Sequence, residues 1–165
     1  MKRLVLLLVL VLAAGRVLLG APSPGHAQPV DICNGQWLWQ ITFDGRDAIE
    51  EAIANFDEDG DLVLHSPSVV PALPGSGDDT ALYVSDSLGS WQKGDLADMT
   101  CTFSAVRLLA ADDGGSIGKV FFQGTVQVVA NGAGMEGAFI FDQSSGTGKT
   151  VNSGAGTVLG THTGS

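Results

Sequence analysis

Positive charge is scarce in this chain. Eight Lys and Arg residues stand against 18 Asp and Glu, and three of the eight (Lys2, Arg3 and Arg16) fall in the first 16 positions. Beyond that segment five basic residues remain, a net charge near −13. A surface this acidic argues against nucleic acid and anionic membranes as partners, since Lys and Arg hold both. Histidine is also scarce: after residue 27 only His65 and His162 remain. No Ser/His/Asp or Cys/His arrangement and no strong metal site can be argued from two distant histidines, so no cofactor is expected. Helical periodicity is missing from Trp91 to the C terminus. In its place stand segments rich in Val, Phe, Thr and Ile, separated by turn clusters at Lys93-Gly94-Asp95, Asp112-Asp113-Gly114-Gly115, Asn131-Gly132-Ala133-Gly134 and Ser144-Ser145-Gly146-Thr147-Gly148. That pattern predicts consecutive antiparallel hairpins.

The first residues read as a secretory signal. Met1-Lys2-Arg3 supplies a basic start, Leu4 to Ala14 an apolar stretch, and Gly25-His26-Ala27 the small residues before a cleavage expected after Ala27. An uncleaved anchor is the alternative, but Arg16 interrupts the stretch, which falls short of the roughly 20 residues of a span. Lipoprotein processing is disfavoured, because Val30-Asp31-Ile32 precedes Cys33. The expected product is one domain over residues 28–165, secreted or periplasmic and free of the membrane. In an exported chain the only cysteines, Cys33 and Cys101, predict one disulfide. The alternative is a pair of buried thiols.

Alternation within the mature chain predicts strands at 36–43, 49–57, 62–66, 89–92, 98–110, 116–130, 135–143 and 149–161. In the first, Trp37, Trp39, Ile41 and Phe43 share a face opposite Gln36, Gln40 and Thr42. The stretch from Pro67 to Leu88 holds three prolines and is expected to be one long loop, in which only Ala81 to Val84 can pair briefly. Eight strands is the number at which a closed barrel either just fills or holds one small ligand. The fold class expected is therefore all-β, an eight-stranded antiparallel up-and-down barrel.

Gly35-Gln36-Trp37 opens the first strand, and on this tripeptide the chain resembles the calycin superfamily of lipocalins, fatty-acid-binding proteins and avidins. That resemblance implies a Trp packed across a closed end, an open end for a small apolar ligand, and an arginine, here Arg107, over the Trp. The chain also looks like a group of small exported bacterial barrels without an assigned activity, through a second Gly-x-Trp (Gly89-Ser90-Trp91) and the closing run Gly154-Ala155-Gly156-Thr157-Val158. A third barrel type, that of allene oxide cyclases and dirigent proteins, shares the strand number but no motif.

The candidate site is the inward aromatic face: Trp37, Trp39, Phe43, Trp91, Phe103, Phe122, Phe139 and Phe141. It reads either as an apolar ligand pocket or as a filled core. Arg107 shares parity with Cys101, Phe103 and Ala105, so it is expected to point inward, where it needs a partner or anchors a ligand carboxylate. The other reading places it at the barrel floor or rim. Glu50 and Glu51 could act as acid or base if buried, and otherwise form a solvated strand edge. Asp57-x-Asp59-x-Asp61 starts like a calcium loop but lacks its Gly and distal Glu, leaving a hairpin turn. Gly132-x-Gly134-x-x-Gly137 and Gly146-Thr147-Gly148-Lys149-Thr150 imitate nucleotide motifs without the helix these require. The leading expectation is an exported, non-enzymatic barrel binding a small hydrophobic molecule, with access beside the Pro67–Leu88 loop. A cofactor-free isomerase or cyclase is the second reading, favoured by an inward charge facing a cavity. A structural or interaction domain is the third, favoured by a filled core.

Overall fold

The computed structural model describes residues 32–70, 82–94, 97–111 and 115–164. The expected leader over residues 1–27, Asp78-Asp79 and the turn at Asp112-Asp113-Gly114 lie outside them. In chain order the strands are β1 (Gly35–Phe43), β2 (Ile49–Phe56), β3 (Asp61–His65), β4 (Val69–Val70), β5 (Leu82–Val84), β6 (Ser87–Lys93), β7 (Thr100–Ala110), β8 (Ser116–Val129), β9 (Gly134–Ser145) and β10 (Thr150–Gly164). Every pairing is antiparallel. The ring runs β1-β2-β3-β6-β7-β8-β9-β10 and closes where β10 pairs β1. The eight expected barrel strands are these eight, with ends displaced by three residues at most.

Alternation sets which residues face in. Trp37, Trp39, Ile41 and Phe43 of β1 are buried, while Gln36 and Gln40 are exposed. On β8, Val120, Phe122, Val126 and Val128 are buried, and Lys119, Gln123, Thr125 and Gln127 face water. Turn chemistry then fixes the register. Asn131 (φ 57°, ψ 35°) and Gly132 (φ 89°) supply the left-handed pair that a type I′ hairpin between β8 and β9 requires. At the β2–β3 turn the Asp57 carboxylate accepts from the amides of Asp59 (3.0 Å) and Asp61 (2.8 Å), so it builds the turn itself. The two nucleotide-like strings are likewise hairpin turns running into β9 and β10.

The described parts of the Pro67–Leu88 stretch, 67–70 and 82–88, hold more strand than its composition suggests. The β3/β6 hairpin continues past the barrel rim as the short pair β4/β5, with Val84 N donating to Ser68 O at 2.9 Å. β4 is two residues long and begins two residues after Pro67, and β5 adds to the far end of β7 through Tyr83 and Val84. Residues 71–81 lie outside the described set. His162, which sequence position suggests is in a tail, belongs to β10 opposite Trp37.

One end of the barrel is packed shut. There Cys33 and Cys101 form a disulfide that joins the segment before β1 to the start of β7. Trp37 Nε1 donates to Cys33 O at 2.9 Å and Trp91 Nε1 to Asp57 O at 2.9 Å. The bridge closes a separation of 68 residues, about 4 kcal/mol on the chain-entropy model, and fits a non-reducing environment.

Candidate functional site

All nine residues of the expected ligand face lie inside the barrel: Trp37, Trp39, Phe43, Trp91, Phe103, Arg107, Phe122, Phe139 and Phe141 are buried. The rings pack on one another in tilted and edge-to-face pairs. Toward the disulfide end, Trp39 meets Phe56 (5.6 Å between centroids) and Phe103 (5.3 Å), and Phe56 meets Trp91 (5.6 Å). Toward the other end, Phe43 meets Phe139 (5.5 Å) and Phe141 (5.4 Å), and Phe139 meets Phe122 (5.9 Å).

Inward glycines make room for these rings. A Cβ on Gly156 would sit 2.5 Å from Phe139 Cζ, one on Gly154 2.7 Å from Phe141 Cε1, and one on Gly124 2.8 Å from Phe103 Cε1. Large side chains therefore lie over positions with none, and the interior closes. The void left between Trp39, Phe43, Leu64, Phe103, Arg107 and Phe139 is about 10 Å³. That is room for one water at most. An interior ligand would have to displace rings.

The remaining interior chemistry is a buried ion pair. Arg107 on β7 is 2% exposed and Glu50 on β2 is 8% exposed. Arg107 Nη2 donates to Glu50 Oε1 (2.5 Å) and Nη1 to Glu50 Oε2 (3.2 Å), a two-pronged contact. Nη2 also donates to Ser66 Oγ (2.7 Å), just after β3, and Nε donates to Ser87 Oγ (3.3 Å) on β6. The guanidinium lies over the Phe122 ring, 5.3 Å from its centroid. One side chain thus ties β2, β6, β7 and the β3–β4 junction, at the point where the barrel hairpin becomes the β4/β5 pair.

Arg107 therefore points inward, as its parity requires. It does not cover Trp37: its ring partner is Phe122, and the side chain packed on Trp37 is His162, 4.8 Å away and edge-on. Glu51 faces water. His65 Nδ1 pairs with Asp86 Oδ2 at 2.9 Å on the outside, each side chain about half exposed. Sequence reading missed the Arg107 partners Ser66 and Ser87 and left Glu50 undecided. For Glu50 the signal was present, since it shares parity with Ala52, Ala54 and Phe56. Among the described residues, Trp39 Nε1 is the one buried side-chain donor or acceptor with no hydrogen-bond partner.

Fold and site together define a closed eight-strand antiparallel barrel with an aromatic interior and one internal Arg–Glu pair. No protein-family model, curated protein or solved structure matches this chain.

Proposed function

We propose that this protein is an exported, non-enzymatic barrel that works through its outer surface, as a structural or interaction module with a filled core. The observation that carries this reading is the void of about 10 Å³, against the 300 Å³ or more of ordinary small-molecule pockets. Export rests on the basic-then-apolar start of the chain and on the disulfide. The internal acid is committed to structure: both oxygens of Glu50 accept from Arg107, so proton transfer to a substrate would first break that pair.

One observation favours a second reading, the small apolar ligand that a calycin-like barrel would hold. The orphan indole N–H of Trp39 and the Arg107 guanidinium both belong to side chains bordering the void. A ligand with an acceptor atom would satisfy the Trp39 N–H, beside the already paired guanidinium, if Phe103 or Phe139 moved aside.

Native mass spectrometry and Trp fluorescence titration separate the two. The secreted protein is expected to carry no added mass and to show no saturable quenching with benzene, indole or a short aliphatic panel. Phe139→Ala, which opens a cavity beside Gly156, is expected to bind benzene and serves as the positive control. Saturable binding to the unaltered protein would overturn the filled-core reading and establish the second.

A further inference from the structure

A barrel whose inside is full makes its contacts outside, and the outside is not uniform. Antiparallel strands with one face in a core normally alternate apolar-in and polar-out. Across β3, β6, β7 and β8 that alternation fails in one row. Val63 pairs with Leu88, Leu88 with Val106 and Val106 with Phe121, all facing outward, so four apolar side chains stand side by side across four strands. At about 4.8 Å between strands the row is roughly 14 Å long. Leu88 is 65% exposed, and Leu108, the next outward residue of β7, is 55% exposed. The patch continues onto the β4/β5 pair, where Tyr83 and Val69, both exposed, are partners in register. Its border is sharp. One row toward the disulfide end, the same four strands present Asp61, Ser90, Ser104 and Gln123.

We infer that this face is the interface of a symmetric dimer, with a second copy of this chain as its occupant. Two arguments select the second copy. The first is charge. The mature chain carries a net charge near −13, so most pairs of its faces repel. This one carries Lys119 in register with Leu108, Asp142 in register with Phe121 and the His65–Asp86 pair beside Val63 and Leu88, so its charges nearly cancel. A twofold axis that passes between Lys119 and Asp142 sets each copy's Lys119 toward the other's Asp142, which makes the face self-complementary. The second is area. The exposed apolar side chains amount to roughly 500 Å² per copy, at the upper end of monomer patches. Two copies together bury about 1,000 Å², the lower limit of a specific interface, which fits a weak, concentration-dependent dimer. The inference builds on the outer-surface reading above by naming the partner.

Sedimentation velocity on the secreted protein over a wide concentration range tests it. The expected result is a monomer–dimer equilibrium in which Leu88→Asp and Leu108→Asp each raise the dissociation constant at least about ten-fold. Ile140→Asp and Leu159→Asp, equally exposed but outside the patch, are expected to leave it unchanged. Circular dichroism checks that each variant is folded. Lys119→Glu should weaken the dimer and Lys119→Glu with Asp142→Lys should restore it. A protein that is monomeric throughout, or a dimer equally sensitive to Leu159→Asp, would overturn the inference. Neither result bears on whether the barrel interior takes a ligand.

Discussion

Replacing Arg107 with Met keeps the apolar stem of the side chain but removes four donated hydrogen bonds, two to Glu50 and one each to Ser66 and Ser87. The dominant consequence is at Glu50. Its carboxylate, 8% exposed, would stay inside the barrel without its counter-charge. Breaking a buried pair in this way costs about 3–5 kcal/mol. For a domain of this size that corresponds to a fall in melting temperature on the order of 10 °C. Glu50→Leu alone leaves the guanidinium unpaired and should cost a similar amount. The double variant, Glu50→Leu with Arg107→Met, removes both charges, and an apolar pair of similar volume is often close to neutral. The two single effects should therefore fail to add by about 6 kcal/mol or more, far beyond the roughly 0.5 kcal/mol seen between independent sites. Urea denaturation of the four proteins, followed by Trp fluorescence, measures the cycle. Additive single effects, or an Arg107→Met protein within about 1 kcal/mol of the parent, would refute the claim that this pair holds the four segments together.

Two further outcomes follow from the same geometry. Reducing Cys33–Cys101, or replacing both cysteines with Ala, should lower stability by about 4 kcal/mol, and equal urea midpoints with and without reductant would contradict this. Gly156→Ala places a methyl 2.4 Å from Thr42 O and 2.5 Å from Phe139 Cζ, so it should destabilise by about 1–3 kcal/mol, whereas Gly146→Ala, 3.6 Å from its nearest neighbour, should be close to neutral; similar midpoints for the two variants would refute the packing account.

The strands were legible because alternation and turn residues are local signals. Val120, Phe122, Val126 and Val128 advertise an inward face within one segment, and Asn131-Gly132 needs only its own backbone angles to define a hairpin. The site was less legible because its contacts are long-range. Arg107 and Glu50 are 57 residues apart, and parity alone says only that both point inward. A carboxylate inside an apolar barrel is improbable until its partner is known. Ser87 was missed for a different reason. Strand β6 begins two residues before Gly89, inside the Pro67–Leu88 stretch whose composition reads as a loop, so its first inward residue has no local signal.

The distinction between container and filled core turned on the glycines. Gly154, Gly156 and Gly160 alternate along β10, which at the sequence level licenses strand curvature or the close approach of a neighbour. Register decides between these. Gly154 is paired with Phe141 and Gly156 with Phe139, while a Cβ on Gly160 would sit 3.1 Å from Trp39 Cδ1, so each lies beside a large ring. Gly124 is paired with Phe103 in the same manner. An aromatic-lined barrel has a cavity only where small inward positions remain uncovered. Here the recesses and the rings match across neighbouring strands, and the volume the glycines release is taken up before any ligand could use it. Aromatic content alone is thus no guide to a pocket. The informative quantity is whether aromatic and glycine positions fall on the same rungs of adjacent strands, and in this barrel they do.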